Sequence, residues 1–231
     1  MQLKNAIVFV TGANRGLGRA FAEAALAAGA AKVYAAARDP RSIDLPGVVP
    51  VALDVTDSAQ IAAAAAQCTD VTLLINNAGI MQGTPTLADD AIATARRQLD
   101  TNLFGVWALT QAFAPTLQAN GGGAVLNVLS VLSWLTLPGT AGYSASKAAA
   151  WALSNGLRAE LKAQGTHVTS LHVGPMDTDM AHGVDTPKSA PADVARLALE
   201  GVETGAFEVL ADDISRQVKQ SLSTPAPAYA G

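Results

Sequence analysis

Val10-Thr11-Gly12-Ala13-Asn14-Arg15-Gly16-Leu17-Gly18 decides the reading of this chain. An apolar run, Ala6-Ile7-Val8-Phe9-Val10, precedes it and reads as a fully buried strand. A helical pattern follows over residues 19–28. The stretch is therefore a strand-to-helix turn with glycines at 12, 16 and 18. Gly12 permits the tight turn, Gly16 lets backbone approach a diphosphate, and Gly18 lets the helix pack close to the sheet. Thr11, Asn14, Arg15 and Leu17 complete the turn. The helix start offers N–H groups and the positive end of its dipole to phosphates. A glycine turn set between strand and helix is an arrangement that holds a dinucleotide.

Working outward, strand and helix patterns alternate. Further strands are expected at residues 32–37, 48–53, 71–76, 124–129, 167–173 and 206–210. Helices are expected at 59–67, opened by Asp57 or Ser58 as a cap; at 94–118, bent or ended by Pro115; at 143–164, ended by Gly165; and at 191–203, starting on Pro191. Alternation of this kind implies a parallel sheet covered on both faces. The expected fold is α/β: a doubly wound, seven-stranded Rossmann sheet in one domain over residues 1–231. Ligand then sits beyond the carboxyl ends of the strands. Residues 223–231, rich in proline and alanine, are expected to form a loose tail.

At 231 residues the chain has ample length for one core. Half its residues are hydrophobic but only 5% are aromatic, so that core is aliphatic and alanine-rich. A net charge of −4 without a basic tract argues against nucleic acid or an anionic membrane as partner. No apolar run is long enough to span a bilayer. Cys68 is alone, so no internal disulfide forms and a reducing, cytoplasmic home is expected. The N-terminus runs straight into a strand, without the pattern of a secretion signal. No metal is expected.

The second strand ends in Ala37-Arg38, where a dinucleotide site meets the adenosine ribose. An acid there would accept from a 2′-hydroxyl, whereas arginine pairs with a 2′-phosphate. Arg38, with Arg15 reaching from the glycine turn, points to NADP(H) over NAD(H). Asp39 stands beside it as the alternative acid. Tyr143 and Lys147 stand four apart at a helix start and so project from one face. A phenol with an unperturbed pKa of about 10 is a poor acid–base group at neutral pH. A cation one turn away favours the phenolate and lowers that value. Ser130, ending the fifth strand, places a hydroxyl where it can polarise a carbonyl beside the phenol; Ser133, in the loop that follows, competes for that role.

Together these residues resemble the short-chain dehydrogenase/reductase family. The matching stretches are Thr11 through Gly18, Asn76-Asn77-Ala78-Gly79, Asn102, Ser130, Tyr143-Ser144-Ala145-Ser146-Lys147 and Gly174 through Thr178, in order over residues 6–213. The resemblance implies hydride transfer between a nicotinamide and an alcohol or carbonyl. It implies that Tyr143 exchanges a proton with the carbonyl oxygen and that Ser130 polarises it. Lys147 would hold the nicotinamide ribose hydroxyls and lower the phenol's pKa. Asn102, in the long helix, would support a water that relays protons to Lys147. Asn77, Ala78 and Gly79 would line the cofactor channel. Asp54, with Val55 beside it, would accept from the adenine amino group, or else Asp54 caps the helix that follows. Met176 would meet the carboxamide, and Gly174 and Thr178 keep the family's pattern there. Val173 departs from it, standing where the family has proline.

The mouth of the site is expected to be lined by Met81, Leu132, Trp134, Leu135, Met180 and His182. Mostly apolar side chains suit an uncharged aldehyde or ketone. Residues 181–190, with Gly183 and Pro187, read as a small mobile lid. Phe104, Trp107, Leu109, Trp151, Leu153 and Leu157 give the two long helices apolar residues on more than one face. That predicts a homodimer or homotetramer. The rival to a carbonyl reductase is a non-enzymatic NADP-sensing regulator or scaffold on the same fold.

Overall fold

Ile7–Thr11 forms β1, in which side chains alternate between the two faces of a buried sheet. The computed structural model describes residues 1–183 and 185–230; Val184 of the expected lid and Gly231 of the expected tail lie outside the described residues. The other strands are β2 (Lys32–Ala37), β3 (Val49–Ala52), β4 (Leu73–Asn76), β5 (Gly123–Val128), β6 (Thr166–His172) and β7 (Glu208–Leu210). They make one seven-stranded sheet in the order β3-β2-β1-β4-β5-β6-β7. Every pairing is parallel. The doubly wound Rossmann architecture expected from the alternation is the one observed. The order reverses between β1 and β4, which opens a crevice at their carboxyl ends.

Two apolar layers hold the sheet. On one face Val8, Val10, Leu73 and Ile75 pack against Phe21 and Ala25 of α1 (Gly16–Ala27) and against Ala195 and Leu199 of α6 (Pro191–Thr204). On the other, Phe9 and Leu74 meet α2 (Ser58–Gln67), α4 (Val106–Ala119) and α5 (Ala141–Leu161) through Ile61, Phe113 and Leu157. Phe9 and Phe113 bring their ring centroids to 4.8 Å. Burial on this scale stabilises by about 25 cal/mol per Å² of apolar surface removed from water.

The expectations fail in specific places. The helix expected over 94–118 is three pieces: α3 (Ala91–Leu99), a π-helical turn (Asp100–Gly105) and α4. The widened turn carries buried Asn102. Such a turn has no signature in apolar spacing, and π-turns occur often at functional sites. Pro115 neither ends nor breaks α4 and lies on its exposed face. β4 and β7 each begin two residues later than expected. A seventh helix, α7 (Asp213–Ser221), was not expected: it has one apolar pair, Ile214 and Val218, and is capped by Asp212, which accepts from the Ser215 N–H at 2.8 Å. Of the apolar residues expected to face a partner, Phe104 and Trp107 are about half exposed, whereas Leu109 and Leu157 are buried on the sheet. Among the described residues no helix is long and apolar enough to cross a membrane.

Candidate active site

The glycine turn is welded to the end of β4. The Thr11 hydroxyl accepts from the N–H groups of Asn77 and Ala78, both at 2.9 Å. Asn77 returns its side-chain amide to the Thr11 carbonyl at 2.8 Å. Gly12 and Gly16 turn the chain with φ of +64° and +53°, the left-handed region that favours glycine. Gly18 acts differently from expectation. A Cβ there would lie 2.1 Å from the Gly12 carbonyl oxygen and 2.5 Å from the Asn77 amide nitrogen, so its close approach is to the turn itself rather than to the sheet. Asn14 is half-buried and Leu17 buried at the start of α1.

Arg15 precedes α1 in extended conformation and puts no side-chain cap on it, and the first turn holds no acid. The opening N–H groups of α1 thus keep their capacity for an outside acceptor, which fits a diphosphate. Of the two arginines expected at a 2′-phosphate, Arg15 pairs with Asp179 at 2.9 Å on the surface and Arg38 stands exposed after β2. Asp39 accepts from the Arg41 backbone N–H at 3.0 Å and from its guanidinium at 2.9 and 3.0 Å. That guanidinium holds the Asp39 carboxyl below its usual value. Asp54 folds back on its own loop, taking the Thr56 N–H at 2.9 Å and hydroxyl at 2.7 Å; Asp57, not Asp54, caps α2. Val55 is buried beside it.

Across the crevice, α5 carries Tyr143 and Lys147 on one stripe. Both are buried, and the Lys147 ammonium sits 5.8 Å from the centre of the Tyr143 ring. Lys147 donates to the Val128 carbonyl at 2.8 Å, and burial pushes its ammonium down to about 8. Burial pushes the Tyr143 phenol up to about 12, with a hydrogen bond from Ser130 pulling the other way. The lowering of the phenol by Lys147 expected from their spacing is not found: burial raises the phenol, and the opposing pull comes from Ser130. Ser130 opens a short turn, Val131–Ser133, after β5. Its oxygen accepts from the Leu132 N–H at 3.1 Å, and its own N–H reaches the Ser133 hydroxyl at 3.4 Å. Ser133 thus serves the turn, and Ser130 faces the phenol.

Asn102 is fully buried. Its side chain binds both polar groups of Ile80, and it donates to the Ser146 hydroxyl, each at 2.9 Å. Ser146 in turn donates to the Tyr143 carbonyl at 2.7 Å. Ser146 was not singled out from the sequence, although it sits inside the Tyr143–Lys147 stretch. Gly79 lies where a Cβ would be 3.2 Å from the Asn102 oxygen and 3.6 Å from the Lys147 ammonium, so the end of the Asn76–Gly79 run meets the Tyr143–Lys147 stripe. Gly174 donates its N–H to Asp212 at 2.6 Å, a second residue the sequence did not flag. Thr178 approaches the glycine turn, its methyl 3.3 Å from where a Cβ on Gly16 would stand. Met176, before the expected lid, bridges to Ser189 near the lid's end.

Of the expected lining, Met81 and Met180 are partly exposed near the mouth and Leu135 is half-buried. His182 is exposed. Leu132 and Trp134 are buried in a cluster with Tyr143 and Val218. Trp134 stacks on His172, with ring centroids 3.9 Å apart, so it forms a wall behind the site rather than a face of its mouth.

A family model described as short chain dehydrogenase matches residues 6–189. Dehydrogenase/reductase SDR family member 7B of Mus musculus is 36% identical over 195 residues, 78% of this chain and 60% of that protein. Sulfoacetaldehyde reductase of Chromohalobacter salexigens is 35% identical over 223 residues, 91% of this chain and 85% of that protein. The chain spans about half to two thirds of the length of the first curated relatives it matches. A short chain dehydrogenase from Burkholderia cenocepacia, solved in complex with NADP, is 41% identical with a TM-score of 0.93, covering 97% of this chain and 95% of that one. Other solved structures of similar fold hold NAD or NADH.

Proposed function

The chain belongs to the short-chain dehydrogenase/reductase family, and from this and the geometry above we propose that it is an NADPH-dependent reductase of an uncharged aldehyde or ketone, reversible in direction. The observation that carries the reading is the burial of Tyr143 and Lys147 on one stripe of α5, with Ser130 beside the phenol. The NADP complex of a similar structure supports the cofactor, and the relative that reduces sulfoacetaldehyde supports the carbonyl.

The turn from Thr11 to Gly18, the uncapped start of α1, and Asn77, Ala78 and Gly79 would hold the dinucleotide, with Arg38 at its 2′-phosphate and Asp54 and Val55 near the adenine. Gly174, Met176 and Thr178 would hold the nicotinamide end. When bound, the nicotinamide supplies or accepts the hydride. The protein supplies the proton and the field. A phenol held at about 12 keeps its proton at neutral pH and so can donate it to a developing alkoxide. The Ser130 oxygen already accepts one N–H, which leaves its own proton for the substrate oxygen. Lys147 would hold the ribose hydroxyls and keep a positive charge behind the phenol. We assign Asn102 a positioning role, because both its amide protons are engaged by Ile80 and Ser146. Half-exposed Phe104 and Trp107 support a homodimer or homotetramer, and the single cysteine supports a cytoplasmic location.

The test is Tyr143→Phe, with NADPH oxidation followed across a panel of aldehydes, ketones and diketones. We expect kcat to fall about 10³-fold while the NADPH dissociation constant stays within about twofold. Equal loss of both would remove Tyr143 from the chemistry. No oxidation by the parent protein with any carbonyl would turn the reading to an NADP-sensing regulator.

A further inference from the structure

His172, the last residue of β6, is fully buried, and it touches the backbone of Ser130. Its Nδ1 lies 3.2 Å from the Ser130 carbonyl oxygen. A carbonyl only accepts, so the contact is a hydrogen bond with the proton on Nδ1. The residues either side of Ser130 are tied to β6 by backbone: Leu129 donates to the Leu171 carbonyl at 2.8 Å and Val131 to that of Val173 at 3.0 Å. The Ser130 carbonyl also accepts from the Ser133 N–H at 3.0 Å, so His172 adds a side-chain hold to a backbone one.

The imidazole is itself fixed from three sides. Trp134 stacks on it at 3.9 Å with the planes 19° apart, and the Trp151 ring meets it nearly edge-on at 6.5 Å. Nε2 has no hydrogen-bond partner among the described residues but faces the Glu208 carboxylate at 3.7 Å. That carboxylate is anchored by the Trp151 indole N–H at 3.0 Å and the Lys219 ammonium at 2.7 Å. Trp151 stands eight residues after Tyr143 and four after Lys147, on the same stripe of α5. One assembly drawn from α5, β6, β7 and α7 therefore sets the imidazole, and the imidazole braces the carbonyl of the residue that carries the Ser130 hydroxyl.

We propose that His172 is a positioning residue for Ser130: its Nδ1–H fixes the Ser130 carbonyl, and so aims the hydroxyl at Tyr143 and the substrate oxygen. This role rests on the reading of Ser130 as the group that polarises the carbonyl. It gives the Trp134–His172 stack a purpose in catalysis without contact to substrate. A side-chain bond is also a more selective hold than a ladder bond, because one substitution removes it without disturbing the sheet.

Two variants separate positioning from simple packing. His172→Phe keeps a stacked ring and loses the donor; His172→Asn keeps a donor near the Nδ1 position and loses the ring. Crystal structures of both, melting temperatures, NADPH affinity and turnover with the carbonyl panel are the measurements. In His172→Phe we expect the Ser130 hydroxyl to turn from Tyr143 and kcat to fall about 10- to 100-fold, with NADPH affinity unchanged. In His172→Asn we expect Ser130 to stay in place and kcat to remain within about threefold of the parent, at a lower melting temperature. An unmoved Ser130 in His172→Phe overturns the proposal, and so does turnover that follows melting temperature across the two variants. If the parent oxidises NADPH with no carbonyl, the reductase reading fails, and the position of Ser130 in the two crystal structures alone decides the role of His172.

Discussion

The glycine turn and the wall that carries Tyr143 share one edge of the sheet but are built on opposite principles. The turn works through backbone: its left-handed glycines, its uncapped helix start and its weld to β4 leave polar groups facing outward. The wall works through buried side chains whose titrations are displaced. Tyr143 is pushed up to about 12 and Lys147 down to about 8, both by burial. Behind them, the His172 ring facing it at 3.7 Å, with the Lys219 ammonium and the Trp151 indole, holds the Glu208 carboxyl down at about 2 against its burial. A diphosphate is bound by geometry that needs no titration, whereas proton transfer needs groups whose protons are held at set affinities. The difference predicts that the turn fails by steric damage and the wall by changes of charge.

The largest effect should come from Gly18→Ala. The new Cβ would stand 2.1 Å from the Gly12 carbonyl, a backbone atom that cannot swing aside. We expect a loss of about 3 kcal/mol or more in thermal unfolding, together with cofactor binding. Gly156→Ala on α5 is the control, since nothing lies within 4 Å of its Cβ; there the gain in helix propensity should stabilise by up to about 1 kcal/mol. Similar melting temperatures for the two variants would show that the turn tolerates a side chain.

Lys147→Met probes the wall at the next magnitude. The folded ammonium titrates near 8, against an ordinary value of 10.5, so between these pH values the unfolded chain holds more protons and native stability rises with pH. Burying the charge at neutral pH costs about 3 kcal/mol at most. Losing the bond to the Val128 carbonyl offsets about 1 kcal/mol of that. Lys147→Met should thus unfold at a higher temperature than the parent at pH 7, with the advantage shrinking as pH rises through 8 toward 10.5. The Tyr143 phenol adds the opposite slope only above about pH 10, and it is common to both proteins. A difference that does not change between pH 7 and 10 would mean that burial of Lys147 carries no charge penalty.

The same contrast sorts what was legible in the sequence. Strand, glycines and helix are consecutive in the chain, so the turn could be read from one short stretch, and the alternation of patterns gave the parallel sheet. Tyr143 and Lys147 were legible because helical periodicity puts residues four apart on one face. The assembly behind them was not. His172, Glu208 and Lys219 come from β6, β7 and α7, and no local pattern links a lone histidine at a strand end to a glutamate thirty-six positions on. Trp134 was misread for the same reason: an aromatic in a loop after a strand says nothing of the ring that covers it. The π-turn that carries Asn102 escaped because its extra residue leaves the apolar spacing of the helices on either side nearly intact.

The smallest effect expected on stability returns to the turn's neighbour at the end of β2, and it tests whether charge matters on the backbone-built side at all. Arg38 is exposed, and Asp39 beside it is engaged in three contacts with Arg41. An aspartate tied in this way is drawn toward Arg41 and competes less well for a ribose 2′-hydroxyl, and an exposed guanidinium suits a 2′-phosphate. Arg38→Asp replaces attraction by repulsion for that phosphate and offers a new acceptor to the hydroxyl. The ratio of kcat/KM with NADPH to that with NADH should fall about 100-fold, equivalent to about 2.8 kcal/mol, with little change in melting temperature. An unmoved ratio would pass the choice of cofactor to Asp39, whose carboxylate would then have to leave Arg41. Arg41→Ala, which frees Asp39, should in that case shift the preference toward NADH, and on the Arg38 reading it should not.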